Sequence, residues 1–388
     1  MTTNESALAK RIAQPGQKRI LSLDGGGIRG IITLEILAKI EDQLRTEYNR
    51  GEDFVLADYF DYIAGTSTGA IIGTLLSMGK SVSEIRSFYL DFGKSMFEHA
   101  SLLDRFKWKY TDQAFSEKLH EIFGKDTTLG SEVLQTVLMV VMRNANTDHP
   151  WAISNNPNSK FNLDQRHSHL HLPLWKLIRA STAAPSFFPP EEIKIGDHDF
   201  LFIDGGISSY NNPAFRAFIN ATAQPFGLGW ATGVDNLLLV SIGTGSIPHE
   251  NMELKRSDMN LMHDVVTLIP SILLSTVQEQ DTLCRLFGNC LYGGAIDKEV
   301  GTLINTPSIG AEKLFTYLRY DGEISRAGLD ELELNEINPA DVAKLDSIEF
   351  IPELIQIGEK LAMQQVKAEH FSGFCSDLQS EFAPAKTT

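Results

Sequence analysis

Cysteine, long apolar runs and positive charge are all scarce in this sequence. Its 388 residues include three cysteines, Cys284, Cys290 and Cys375, which are too few for a disulfide framework and match no zinc-site spacing. No stretch reaches the ~18 consecutive apolar residues that a membrane-spanning helix needs. The nearest, residues 265–274, is interrupted by Pro270. Any contact with lipid is therefore expected to be peripheral.

The charge balance excludes a second class of protein. The chain carries 50 Asp and Glu against 34 Lys and Arg, a formal net charge of −16. Binding to a nucleic-acid polymer requires clustered Lys and Arg, so we expect no such partner. The polar N-terminus lacks the apolar core of a signal peptide, and reduced cysteines are typical of the cytosol. We expect a cytoplasmic protein.

Strands that end at glycine and lead into helices organise the chain as far as residue 245. The pattern predicts strands at 18–24, 61–64, 136–144, 200–203 and 237–242, and helices at 31–48, 70–78 and 174–184. This order is typical of an α/β fold with a largely parallel sheet and helices on both faces. We expect a polar arm over 1–17, one catalytic domain over 18–325 and a helical C-terminal extension over 326–388.

The first glycine-rich segment, residues 24–30 (DGGGIRG), has two interpretations. It satisfies the GxGxxG dinucleotide-binding pattern, which requires an acidic residue at the end of the second strand to hold a ribose. Asp58 lies in a helical context instead, and Asp24 would repel a pyrophosphate. A dinucleotide-dependent oxidoreductase is disfavoured but stays open.

The same loop is suited to stabilising an oxyanion. The consecutive glycines Gly25, Gly26 and Gly27 let backbone N–H groups converge without obstruction by Cβ atoms. The helix that follows adds the positive end of its dipole. Arg29 either shapes the loop or favours an anionic head group, and an ordinary ion pair explains it equally well.

The second motif, residues 65–69 (GTSTG), lies between a strand and a helix, which is the context of a nucleophile elbow. Gly65 and Gly69 would allow the sharp turn that exposes the Ser67 hydroxyl. A helix-capping role would explain Ser67 but would leave both glycines unexplained.

A serine nucleophile needs a base. Asp204 ends a short apolar strand and is followed by Gly205, which places it where sites of parallel sheets gather. The histidines lie in loops or lack a supporting motif. A simple turn residue is the alternative interpretation of Asp204.

Taken in order, the three motifs resemble those of the patatin-like phospholipase family: DGGGxxG, GxSxG and DG[GA]. Residues 181–189 and 241–245 resemble further family segments. The resemblance covers residues 18–245, and the C-terminal third carries no motif that we recognise. It implies a three-layer sandwich with a mostly parallel central sheet.

The resemblance also implies a chemistry. A dyad of Ser67 and Asp204, without histidine, would cleave ester-linked fatty acids from membrane phospholipids, a phospholipase A type of activity. Gly25, Gly26 and Gly27 would form the oxyanion hole, supported by Arg29, Gly65, Gly69 and Gly205. Neither a metal nor another cofactor is expected. The protein would associate peripherally with the inner face of the membrane.

Compact proteins of this kind resemble bacterial anti-phage effectors that a cyclic dinucleotide switches on. Residues 259–290 and the C-terminal tail would be available for such an activator, and a homodimer is a further possible assembly. The competing roles are a constitutive lipid-turnover esterase and a non-catalytic fatty-acid-binding protein.

Two sets of residues are candidates for contact with lipid. Phe187, Phe188 and Phe226 are expected in the acyl groove or at its rim. Residues 88–110 mix aromatic and basic side chains, among them Lys107 and Lys109, and suit a lid or an interfacial contact as well as a buried helix pair.

Overall fold

The computed structural model describes residues 6–96, 112–248, 261–310 and 312–375. Within them the strands are β1 (Lys18–Leu23), β2 (Tyr62–Thr66), β3 (Val137–Asn144), β4 (Pro150–Ser154), β5 (Glu191–Ile195), β6 (His198–Asp204), β7 (Leu237–Ile242), β8 (Asn289–Tyr292) and β9 (Thr316–Tyr320). The α-helices are α1 (Ala7–Ala13), α2 (Gly30–Glu47), α3 (Leu56–Tyr59), α4 (Thr68–Ser77), α5 (Val82–Met96), α6 (Asp112–Phe123), α7 (Lys160–Leu163), α8 (Leu174–Ser181), α9 (Ala214–Thr222), α10 (Leu261–Phe287), α11 (Arg326–Glu331), α12 (Pro339–Val342) and α13 (Ile351–Gln365).

All the described strands form one sheet, in the order β5-β6-β3-β2-β1-β7-β9-β8, with β4 pairing on β3. The pairs from β3 across to β8 are parallel. The strands β4, β5 and β6 add antiparallel pairs at one side. The sheet is therefore mixed but mostly parallel, as the strand–loop–helix order predicts.

Side chains of the central strands alternate between two hydrophobic cores. In β3, Leu138, Val140 and Met142 face one core, and Val137, Met139 and Val141 face the other. The first core is completed mainly by α2, α4, α8 and α13, and the second mainly by α9 and part of α10. Because strand side chains alternate with a period of two, apolar residues at every position bury both faces. The result is a three-layer α/β sandwich.

Most predicted elements occur within a few residues of their expected bounds. One helix is shorter: α8 ends at Ser181, whereas the pattern predicts a helix as far as residue 184. Pro185 disfavours helical backbone at the residue before it. The chain instead runs alongside β6, and the Ala183 carbonyl accepts the Asp204 N–H at 3.0 Å.

The predicted polar arm is partly helical, in contrast to the irregular segment expected from its composition. Arg11 of α1 donates to the carbonyl oxygens of Ala57 and Phe60 at 2.5 and 2.7 Å. Helix α1 therefore binds to the outside of the domain through Arg11, and its Leu8 and Ile12 side chains pack against the second core. The proposed boundaries at residues 17 and 325 stay predictions.

The C-terminal segment packs along the element that follows the first glycine loop. Helix α13 lies against α2, and a Cβ at Gly358 would come 2.8 Å from Glu35, so the two helices approach closely there. Arg19 Nε donates to the Phe374 carbonyl at 2.9 Å. The segment after residue 325 thus contacts both β1 and α2. Among the described residues, no helix is long and apolar enough to cross a membrane.

Candidate active site

The three motifs meet at one edge of the sheet. Strands β1, β2 and β3 are parallel neighbours, so their C-terminal ends lie side by side. Strand β6 runs antiparallel to β3 but overlaps only its tip, where Asp204 pairs with Met142. Asp204 therefore reaches the edge predicted for it, although its strand is not one of the parallel ones.

Ser67 lies in a sharp turn between β2 and α4. Its φ of 52° is unusual for a residue other than glycine and raises the energy of the backbone locally. A Cβ at Gly65 would lie 2.2 Å from the Gly69 carbonyl oxygen, and one at Gly69 would lie 2.3 Å from that of Leu23. Both glycines are thus required by close backbone approach, and the turn has the geometry of a nucleophile elbow.

The Ser67 hydroxyl donates a hydrogen bond to Asp204 Oδ2 at 2.6 Å. Asp204 Oδ1 accepts the Gly206 N–H at 2.7 Å, which fixes the carboxylate plane. Burial raises the pKa of Asp204 to about 6, and the hydrogen bonds from Ser67 and Gly206 lower it in part. A carboxylate with such a pKa is a stronger base than an ordinary aspartate while it stays ionised at neutral pH.

The backbone of the Ser67 turn is held by the last residue of α8. The Ser67 N–H donates to Ser181 Oγ at 2.9 Å, and the Ser181 hydroxyl donates to the Val141 carbonyl at 2.6 Å. A Cβ at Gly205 would lie 2.4 Å from the same carbonyl oxygen. Nucleophile and base are thus both packed against the end of β3.

The glycine loop presents two of its three amides. The sequence predicts that the Gly25 N–H contributes to the oxyanion hole. In this conformation it donates instead to the Asn211 carbonyl at 3.1 Å and is not available to an oxyanion. The N–H groups of Gly26 and Gly27 make no hydrogen bond within the part of the chain that the structure describes. They lie at the start of the short helix that leads into α2, where backbone dipoles favour negative charge.

Neighbouring groups fix the far side of this loop. The Gly27 carbonyl accepts hydrogen bonds from the hydroxyls of Thr68 and Tyr89 at 2.8 and 2.6 Å. The Ile28 N–H donates to the Leu345 carbonyl at 2.9 Å. Gly27 has a φ of 59°, and a Cβ there would lie 2.2 Å from that carbonyl oxygen. A glycine is required at this position for both reasons.

A cavity of about 200 Å³ opens over the dyad. Its wall contains the dyad, the glycine loop and a mainly apolar set of side chains that includes Phe187, Phe188, Ile207, Leu273 and Leu345. Phe187 and Phe188 are therefore where the sequence predicts them. Phe226 is not: it lies beside a small polar pocket with Tyr62 and Asn220 and stacks against Arg216.

Arg29 adds the cation of this cavity wall. Its Nε is buried without a hydrogen-bond partner among the described residues, and no ion pair of Arg29 occurs there. Burial lowers its pKa to about 10, partly offset by Asp321, so the side chain keeps its charge at neutral pH. The choice among loop shape, an anionic head group and an ion pair as the role of Arg29 therefore stays a prediction.

A dinucleotide site would need an acid where β2 ends. Strand β2 ends at Thr66 and leads directly into the Ser67 turn, and Asp58 lies in the short helix α3. The loop is also closed on one side, since a Cβ at Gly26 would lie 2.1 Å from Thr244 Oγ1. This geometry favours the oxyanion interpretation over a bound pyrophosphate.

Comparison with known proteins agrees with the motifs. A family model described as patatin-like phospholipase matches residues 21–218, about half of the chain. The chain belongs to the patatin-like phospholipase family. The matched region includes the glycine loop, the Ser67 turn and Asp204.

Individual relatives include plant, bacterial and animal proteins. The chain is 31% identical over 246 residues to Patatin-17 of Solanum cardiophyllum, covering 58% of this chain and 60% of the relative. It is 34% identical over 202 residues to a cGAMP-activated phospholipase of Escherichia coli (strain TW11681), covering 51% and 54%. It is 32% identical over 255 residues to an intracellular phospholipase A2 of Caenorhabditis elegans, covering 64% and 22%. The matches thus span about 60% or less of each of these relatives.

Several residues of this patatin-like site escape sequence reasoning. Asn211 and Leu345 contact the loop through backbone carbonyls, which leave no signature in side-chain identity. Ser181 and Thr244 lie in segments that resemble the family, but the motifs do not assign them a role. Leu273 comes from the run 265–274 in the first half of α10, and its side chain reaches the Gly206 turn. The segment 88–110 lies largely outside the described residues.

Among the described residues, no group of three or more His, Cys, Asp or Glu side chains is placed to hold a metal ion. All three cysteines are buried and free.

Proposed function

We propose that this protein is a serine acyl hydrolase that cleaves ester-linked fatty acids from membrane phospholipids. The observation that carries the proposal is the 2.6 Å hydrogen bond from the Ser67 hydroxyl to Asp204, next to two unused loop amides. Membership of the patatin-like phospholipase family supports a lipid ester as the substrate class.

In the first half-reaction, Ser67 Oγ attacks the acyl carbonyl as Asp204 takes the hydroxyl proton. The N–H groups of Gly26 and Gly27 stabilise the tetrahedral oxyanion. The carbon–oxygen bond to the alcohol then breaks, and the alcohol leaves with the proton from Asp204. An acyl ester on Ser67 remains.

In the second half-reaction, Asp204 takes a proton from water, whose oxygen attacks the acyl ester. The same two amides stabilise the second oxyanion. The fatty acid leaves as Ser67 recovers its proton, so that one ester and one water give one acid and one alcohol. Burial of Asp204 supports its role as base in both steps, because it raises the pKa of the carboxyl towards neutrality.

The cavity wall supports a phospholipid in particular. An apolar cavity of about 150 Å³ holds a group the size of benzene, so about 200 Å³ accommodates the ester and the start of an acyl chain. Phe187, Phe188 and Leu273 provide apolar contact for that chain. Arg29 keeps its charge, and its Nε has no hydrogen-bond partner among the described residues, so it is suited to the lipid phosphate. Peripheral contact with a membrane surface follows from such a substrate.

A cyclic dinucleotide is the proposed activator. The support is one relative, described as a cGAMP-activated phospholipase, which shares 34% identity over 202 residues. On this proposal the protein is cytoplasmic and degrades lipid at the inner face of the membrane during anti-phage defence, when the activator is made. The competing role, a constitutive lipid-turnover esterase, predicts the same chemistry without an activator. Whether the protein acts as a homodimer stays a prediction.

Mass spectrometry of phospholipid vesicles incubated with the full chain tests the proposal, with and without a panel of cyclic dinucleotides. We expect release of fatty acid and lysophospholipid and covalent labelling by a fluorophosphonate. Ser67→Ala should abolish both the release and the labelling. Bound lipid without turnover or labelling would indicate a fatty-acid-binding protein. Equal release with and without each nucleotide would favour constitutive activity.

A further inference from the structure

Arg319 of β9 reaches the catalytic loop from outside the segment that matches the family. Its side chain is 3% exposed and forms a two-pronged pair with Asp24, with Nη1 3.1 Å from Oδ1 and Nη2 2.7 Å from Oδ2. Asp24 directly precedes Gly25. The matched segment ends at residue 218, so no family motif predicts this contact.

The pair solves an electrostatic problem that the DGGG sequence creates. Asp24 is 2% exposed, and an unpaired buried carboxylate behind an oxyanion hole would oppose the negative charge that develops there. Burial raises the pKa of Asp24, Arg319 lowers it, and Asp321 and Asp281 raise it, so that the pKa is about 7. Arg319 is thus the cation that favours the paired, ionised form of Asp24.

The same guanidinium holds a second support of the loop. Its Nη1 donates to Ser241 Oγ and its Nη2 to Asp321 Oδ2, both at 2.7 Å. Asp321 Oδ1 in turn accepts the Gly245 N–H at 3.0 Å. The two ends of the 241–245 turn are therefore both tied to Arg319, directly or through one carboxylate.

That turn carries the side chain that packs behind the loop. Thr244 Oγ1 donates to the Gly25 carbonyl at 3.2 Å and occupies the space where a Cβ of Gly26 would lie. The loop is thus fixed at Asp24 from one side and at Gly25 from the other. Both constraints depend on the Arg319 guanidinium, which binds Asp24 directly and holds the 241–245 turn that carries Thr244.

We propose that Arg319 is a positioning residue for acyl transfer, which orients the Gly26 and Gly27 amides through Asp24 and the 241–245 turn. It also neutralises the carboxylate behind them. Arg319 does not line the cavity in the described structure, so it acts through the loop and not on the substrate. This inference rests on the proposed function.

The test uses the full chain and p-nitrophenyl butyrate between pH 5 and pH 9. In Arg319→Met we expect kcat to fall on the order of 10²-fold, as for the loss of an oxyanion donor, with KM changed less than about threefold. We also expect a new decline in kcat at alkaline pH, as the unpaired Asp24 ionises. The double variant Asp24→Asn with Arg319→Met removes that charge, and should recover part of kcat and lose the alkaline decline.

A matched control separates positioning from folding. Arg285 is 1% exposed and forms a similar two-pronged pair with Asp281 at 2.9 and 2.7 Å, but it contacts no residue of the loop. We expect Arg285→Met to lower the melting temperature while kcat changes less than about threefold. Its pH profile is not part of the control, because Asp281 itself raises the pKa of Asp24. Arg319→Lys, which keeps the charge but not the two-pronged geometry, should have an intermediate kcat and is the variant to measure if Arg319→Met does not fold.

A wild-type kcat and pH profile in a folded Arg319 variant would overturn the inference. A loss that Asp24→Asn does not relieve in the double variant would overturn the neutralising role and support positioning alone. If the wild-type chain itself neither hydrolyses esters nor labels at Ser67, with or without cyclic dinucleotides, the proposed function fails first. The two failures are therefore distinguishable.

Discussion

Ser67 Oγ and Asp204 Oδ2 lie 2.6 Å apart although 137 residues separate them in the chain. The contact depends on two turns formed at different strands, one at the end of β2 and one at the end of β6. No histidine lies in the cavity wall among the described residues, so the pair has no third member there. Single substitutions can therefore test each role separately.

Replacing Ser67 by Ala removes the nucleophile. We expect hydrolysis of p-nitrophenyl butyrate to fall by at least about 10³-fold, because the remaining groups can only bind and polarise the ester. Steady-state kinetics measure the loss, and circular dichroism checks the fold. Ser83→Ala, at an exposed serine of α5, serves as the control and should keep wild-type activity. Activity above a tenth of wild type in Ser67→Ala would rule out the dyad.

Gly26→Ala tests the loop. The added Cβ would lie 2.1 Å from Thr244 Oγ1, so the loop must shift and its amides turn away from the oxyanion. We expect kcat to fall about 10²–10³-fold with a small change in KM. Gly294→Ala is the matched control, since nothing lies within 4 Å of a Cβ there. Similar kcat values for the two variants would contradict the assignment of the loop.

Asp204→Asn tests the buried carboxyl through stability. Its pKa of about 6 in the fold exceeds the ordinary value of 3.8, so the folded state binds the proton more tightly than the unfolded state. The stability from this group is complete below about pH 4 and is lost as the pH rises through 6. The difference is worth about 3 kcal/mol.

Asparagine does not ionise, so the variant does not lose this stability as the pH rises. The melting temperature of Asp204→Asn minus that of the wild type should therefore be larger at pH 7.5 than at pH 4. The variant should also lose activity. Differential scanning calorimetry at both pH values measures the change. The wild-type comparison cancels other buried carboxyls such as Glu41, whose pKa burial raises to about 7. A difference between the two proteins that is the same at both pH values would show that the carboxyl is not perturbed.

Arg29→Gln tests recognition of the lipid phosphate. A charge-assisted hydrogen bond contributes about 1.5–3 kcal/mol, so we expect kcat/KM for phosphatidylglycerol vesicles to fall about 10-fold or more. The value for p-nitrophenyl butyrate, which has no phosphate, should change less than about threefold. Lys80→Gln removes the same charge from an exposed position and controls for general attraction to the vesicle. Equal losses on both substrates would instead assign Arg29 to the shape of the loop.

Sequence patterns predict the central elements well because local chemistry decides them. Strands β1, β3 and β7 are buried and rich in apolar residues. The glycines of the Ser67 turn are required because a Cβ at Gly65 or Gly69 would lie 2.2–2.3 Å from a backbone carbonyl oxygen. Within the helical extension expected after residue 325, Asn338 and Pro339 start α12, and the asparagine side chain accepts the Ala340 N–H as an N-cap. Family resemblance adds the pairing of Ser67 with a distant aspartate.

Long-range partners are what the patterns miss. The loss of Gly25 as a free donor depends on a carbonyl 186 residues away in the chain, at Asn211. Phe226 is aromatic, as expected of a groove residue, but it follows α9 on the other face of the sheet. Such contacts follow from tertiary topology, which neither periodicity nor motif spacing encodes.

The Leu345 carbonyl accepts the Ile28 N–H, so the C-terminal third of the chain helps to fix the geometry of the candidate site. A protein trimmed to residues 21–218 would keep the glycine loop, the Ser67 turn and Asp204. It would nevertheless lose this acceptor, the Thr244 brace and the counter-charge of Asp24. We expect residues 21–218 alone to contain the three motifs but to hydrolyse esters much more slowly than the full chain.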